Sequence, residues 1–142
     1  MTVVAPLSST IVSLGLIPVA FLFCHAYLSG RRKNRFHPVS AAVAITWDLS
    51  LSIGYMLFRT FGGAVDGSTI KLTGILDIYF GIHGAVAVVV MALEVLVLAI
   101  GVQQLQKNAP NLWHRKLTKI LFFVWWFAFL SGELFYLAMY VI

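Results

Sequence analysis

Residues 75–102 read ILDIYFGIHGAVAVVVMALEVLVLAIGV, and within this run only Asp77, His83 and Glu94 can carry charge. A hydrocarbon core of about 30 Å needs about 20 helical residues to cross it, so the run predicts a transmembrane helix with room to spare. His83 and Glu94 then sit where an ionisable group costs from about 2.5 to more than 10 kcal/mol, so each needs a partner or a task.

Working outward, three further apolar runs of spanning length appear: Leu7 to Ser29, Val39 to Phe61 and Leu117 to Ile142. The chain therefore reads as all-α, a single transmembrane domain over residues 1–142 built as an integral membrane four-helix bundle. Its helices fall at about 7–29, 39–61, 75–102 and 117–142. Composition agrees: 61% hydrophobic and 11% charged, with a mean hydropathy of +0.93, where soluble domains carry roughly a quarter charged residues. No room is expected for a soluble domain at either end. The first run lacks a preceding basic segment and is long enough to cross, so it is expected to be a retained helix rather than a cleaved signal.

The connections carry loop punctuation: RRKNRFHP (31–38), GGAVDGSTIKLTG (62–74) and QQLQKNAPNLWHRK (103–116). Pro38 and Pro110 fall in loops or at helix starts, whereas Pro18 lies inside the first span and is expected to kink it. Eight basic residues (Arg31, Arg32, Lys33, Arg35, Lys107, Arg115, Lys116 and Lys119) lie on one side, and Arg59 and Lys71 on the other. The positive-inside rule makes the first and third connections cytoplasmic and puts both termini on the outer side. The net charge of +5 then serves orientation and contact with anionic headgroups of the lipid bilayer, with no nucleic acid implied.

Helical phase at about 100° per residue turns the polar residues into geometry. Asp48, Ser52, Tyr55 and Arg59 form one stripe on the second helix, expected to face the bundle interior. His83 and Glu94 share a face of the third helix, roughly 16 Å apart in height. Asp77 points elsewhere, toward water or headgroups. Trp126, Glu133 and Tyr140 share a face of the fourth helix. Counted from the expected ends, Asp48, His83 and Glu133 lie at similar depths and are expected to converge. Such a group can bind a divalent metal, pass protons, or form a hydrogen-bonded network that ties the helices together.

His25, His37 and His114 fall at the cytoplasmic ends of three helices, a candidate set for haem iron or copper, since neutral imidazole is a good ligand for both. Interfacial anchoring beside Arg and Lys is the plainer reading of the same three. A bis-His haem at the depth of His83 is disfavoured, because no second His shares that depth. Met56 is the alternative second ligand there, although Met more often fills packing gaps. Cys24, the single cysteine, excludes an internal disulfide and a CxxC motif. Trp113 reads as an interface residue, and Trp125 and Trp126 as packing residues or the wall of a flat cofactor. Gly74, Gly81 and Gly84 offer close helix approach. HRK is not the HExxH of zinc proteases, and no catalytic nucleophile or phosphate loop is present, so no enzyme is expected.

Several motifs together resemble a known family: the basic loop with His37 opening the second helix, YFGIH at Tyr79 to His83, HRK at His114 to Lys116 opening the fourth helix, a following Trp, and SGE at 131–133 before Tyr136 and Leu137. Over about residues 31–142 the chain is similar to the small four-helix membrane proteins of the CtaM/YozB type. The resemblance implies an accessory or assembly role beside a respiratory haem–copper oxidase in the cell membrane of a prokaryote. It also implies holding or delivery of haem or copper, with the family's His positions falling on His37, His83 and His114. Oxidase subunits or other membrane proteins would be the partners, or a second copy of the chain. Two alternatives stand beside it: a b-type cytochrome passing electrons from quinol through a bis-His haem, and a purely structural membrane subunit in which Asp48, His83, Glu94 and Glu133 form a satisfied network of interhelical hydrogen bonds.

Overall fold

The computed structural model describes residues 5–62 and 73–141. Four helices account for nearly all of them: α1 (Leu7–Arg31), α2 (His37–Thr60), α3 (Ile75–Lys107) and α4 (Leu112–Tyr140). No strand occurs among the described residues, and all four helices are long and apolar enough to cross a membrane. Their outward faces carry large apolar side chains such as Phe21, Phe123, Phe127 and Leu134, each exposed. That surface suits hydrocarbon rather than water.

The helix ends depart from the sequence expectation mainly at the basic end. There α3 runs on through Gln103, Gln104 and Gln106 to Lys107, and α4 starts at Leu112 instead of Leu117, leaving four residues between them. Gln and Lys are good helix formers, so a polar stretch next to a span can continue the helix beyond the hydrocarbon. Asn108 stops α3 in the left-handed conformation (φ 46°), and Asn111 caps α4 by accepting from the Trp113 N–H at 2.9 Å. Pro38 occupies the first turn of α2, where its missing N–H costs nothing. Helix α1 continues through Pro18 without a break. Of the second connection, residues 63–72, with Asp66 and Lys71, lie outside the described residues.

Each helix runs antiparallel to its two neighbours, and contacts join α1 with α2, α3 with α4, α1 with α4 and α2 with α3. The backbones of the diagonal pairs α1/α3 and α2/α4 do not approach closely among the described residues, and only long side chains reach across. The bundle is therefore a ring around a central axis. Its basic half is filled: Val19, Ala20, Phe23, Ala44, Ile45, Val97, Leu121 and Trp125 form one buried cluster. Phe23 stacks on Trp125 (centroids 4.4 Å) and Tyr27 on Phe122 (4.1 Å), which closes the α1/α4 seam. The half nearer the termini is open inside.

At the basic end, Arg31 lies 5.9 Å above the Tyr27 ring, Arg35 4.9 Å above Phe36 and Lys116 5.3 Å above Trp113. Aromatic rings paired with cations at one level form the belt expected where headgroups meet hydrocarbon. Asp77 is exposed at the other end of α3, as its helical phase predicted.

Candidate functional site

Two polar centres occupy opposite halves of the ring. The first lies at the basic end. His37, in the first turn of α2, and His114, in the first turn of α4, face each other across the diagonal with ring centroids 6.2 Å apart and planes at 70°. Each ring fits against a glycine of the preceding helix. A Cβ on Gly30 would lie 2.8 Å from His37 Nδ1 and Cε1, and one on Gly101 would lie 3.1 Å from His114 Cε1. Absence of a side chain at these two positions is what lets the rings sit there.

The two seats share an outline and differ in their hydrogen bonding. His37 Nδ1 is 2.8 Å from the carbonyl of Ala26, four residues before Gly30. The Val97 carbonyl, four residues before Gly101, acts on the His114 ring. His114 Nδ1 nonetheless has no hydrogen-bond partner among the described residues, although it is buried. With Nδ1–H of His37 donated to a carbonyl, its Nε2 carries the lone pair, the arrangement found behind most metal-ligating histidines. The two hairpins thus repeat one device, an imidazole in the first turn of a helix set against a glycine of the helix before it.

His25 does not join this pair. It is exposed on α1, while its neighbour Ala26 is buried and faces α2. The expected grouping of three histidines is therefore a pair with His25 turned away, because one residue along a helix rotates the side chain by about 100°.

The second centre is a cavity of about 530 Å³ in the half nearer the termini, lined from all four helices. The stripe Asp48, Ser52, Tyr55 and Arg59 lines it as expected, and so do His83, Glu133 and Tyr140. Asp48, His83 and Glu133 do not converge as a ligand set, however, and no three His, Cys, Asp or Glu among the described residues are placed to hold a metal ion. Asp48 accepts from Trp125 Nε1 at 3.1 Å, Glu133 from Ser13 Oγ at 2.6 Å, and His83 Nδ1 lies 3.0 Å from Ser131 Oγ. Since Glu133 is eight residues beyond Trp125 on α4, it stands about 12 Å nearer the termini than Asp48. The expected common depth failed because α3 and α4 extend further at the basic end, which moves their midpoints away from His83 and Glu133.

Asp48 instead meets Glu94 of α3, a residue outside the expected set. The two carboxyls interact directly, yet neither Glu94 oxygen reaches hydrogen-bond geometry with any described residue, and the side chain is fully buried. A satisfied polar network is therefore incomplete at this point. Trp126 Nε1 is likewise buried without a hydrogen-bond partner among the described residues. His83 has its own glycine seat, since a Cβ on Gly132 would lie 3.1 Å from its Cε1.

Comparison with protein families, with curated proteins and with solved structures returned no match to this chain.

Proposed function

We propose that the protein is a membrane accessory protein that holds a metal centre between His37 and His114, copper foremost, in support of a respiratory haem–copper oxidase. The observation that carries this reading is the facing imidazole pair, 6.2 Å between centroids. Metal–nitrogen distances of about 2 Å put two ligating nitrogens about 4 Å apart, and the two ring radii extend that to about 6 Å between centroids. The orphaned His114 Nδ1 and the two glycine seats add a reason for the rings to be where they are.

Ligand count narrows the metal. A structural zinc site takes four protein ligands, and only two are available here among the described residues. Cuprous copper accepts two imidazoles in a near-linear arrangement, and imidazole is among its ordinary ligands. Haem iron also takes two axial imidazoles, its other four positions being filled by the porphyrin. The layer directly inward from the pair is closed by Val97, Ala44 and Leu121, each 5% exposed or less. A single ion needs no displacement of that layer, whereas a porphyrin does. When bound, copper would supply a reversible one-electron or cargo role, and the chain's own part is to orient both imidazoles and keep lipid from them.

The oxidase partnership, the cytoplasmic placement of the basic end and the prokaryotic cell membrane rest on the motif resemblance and the distribution of basic residues. Full-length protein loaded with cuprous ion under reductant is expected to retain one copper per chain through gel filtration. His37→Ala and His114→Ala should each lose it, and His25→Ala should keep it. Equal retention by the double His variant would exclude the assignment. A sharp alpha band in a reduced-minus-oxidised spectrum, lost in the same two variants, would instead favour the b-type cytochrome reading, for which the same pair is the specific observation.

A further inference from the structure

The cavity near the termini has a polar chemistry of its own, independent of the His37–His114 pair. At about 530 Å³ it falls within the 300–1,000 Å³ typical of small-molecule sites, and like them it is chiefly apolar with a few polar groups. Phe80, Trp125, Phe129 and Phe135 give it flat aromatic walls.

The hydrogen bonds of His83 and Glu133 fix the role of two of the polar atoms that line it. Ser131 Oγ donates to the Ala128 carbonyl at 3.0 Å. Its hydroxyl proton being engaged, Ser131 can only accept from His83, so His83 Nδ1 is the donor in their 3.0 Å contact. In the neutral ring, Nε2 is then an acceptor. Glu133 takes the Ser13 hydroxyl on Oε2, which leaves Oε1 as a second acceptor. The two lie at one level, because His83 leans on Gly132, the residue beside Glu133. They come from different sides: His83 from α3, and Glu133 from the α4 face that meets α1. A flat apolar molecule with a hydroxyl at each end offers one donor to each of the two.

We infer that this cavity binds a lipid-soluble quinol through hydroxyl donation to His83 and Glu133. The oxidised quinone offers carbonyl acceptors only, so it cannot satisfy the same two atoms. Met56 of α2 is both cavity wall and exposed, which places the tail's way out to lipid beside it.

The test is anaerobic calorimetry on full-length protein in detergent with decylubiquinol, decylubiquinone and decanol. Saturable one-to-one binding of the quinol, at least tenfold tighter than either of the others, is expected. His83→Leu should weaken quinol binding tenfold or more. Ala87→Phe, which fills the cavity one helical turn from His83, should abolish it. Circular dichroism and monodisperse elution identify a variant that has not folded, in which case the ligand comparison on the unaltered protein decides alone. Equal binding of quinol and quinone, binding of decanol as tight as quinol, or no saturable binding would overturn the inference. None of these results depends on copper uptake.

Discussion

Buried polar atoms set the energetics of individual residues in this bundle, because lipid offers them no substitute partner. Asp48 has one designated donor, Trp125 Nε1 at 3.1 Å. Trp125→Phe keeps most of the stacking on Phe23 and Phe129 but removes that N–H, and a buried acceptor left unmatched costs about 1–3 kcal/mol. Thermal unfolding in detergent should show a lower midpoint for this variant. Glu94→Gln is expected to act in the opposite direction, since an amide offers Asp48 a donor while keeping the shape of the side chain. A lower midpoint for Glu94→Gln would show that the carboxyl at this position is needed as such. At this scale the sequence was partly legible. Phase alone directed Asp48, Ser52, Tyr55 and Arg59 inward, because direction around a helix depends only on spacing. The Asp48–Glu94 contact was not legible, because which residue meets which across two helices depends on their relative shift along the axis.

Glycine decides how the elements meet. Gly30 and Gly101 admit His37 and His114, and Gly132 admits His83. A methyl at Gly30 would come within 2.8 Å of the His37 ring, so Gly30→Ala is expected to displace that imidazole and reduce copper retention severalfold. Gly54, whose Cβ position has nothing within 4 Å, is the matched control. Gly54→Ala should leave copper retention unchanged and add up to about 1 kcal/mol of helix stability. Equal loss in both variants would mean that the seat does not position the ring. The four spans were evident from their apolar runs, whereas the true ends of α3 and α4 were hidden in polar sequence that forms helix as readily as loop. That difference of five residues at each end is why His83 and Glu133 were expected at the depth of Asp48. Gly74, Gly81 and Gly84, expected to favour close helix approach, have nothing within 4 Å of a Cβ placed there, and the close approaches fall at Gly15, Gly30, Gly101 and Gly132 instead.

For the whole molecule, the two halves of the ring divide the work: a packed basic half that ends in the imidazole pair, and an open half that ends at the termini. By the positive-inside rule, the clustering of basic residues at one end predicts a cytoplasmic position for that end. In a Cys24→Ser background, single cysteines at Arg32 and Thr73 report this directly. An impermeant thiol reagent added to intact cells should label Thr73→Cys and not Arg32→Cys, and the reverse pattern would invert the topology. The central claim concerns the pair itself and has its own direct measurement: copper content per chain of the full-length protein after cuprous loading and gel filtration, set beside that of the His37→Ala/His114→Ala double variant. One equivalent in the former and none in the latter is the predicted result. Equal copper in both, with both correctly folded, would contradict it.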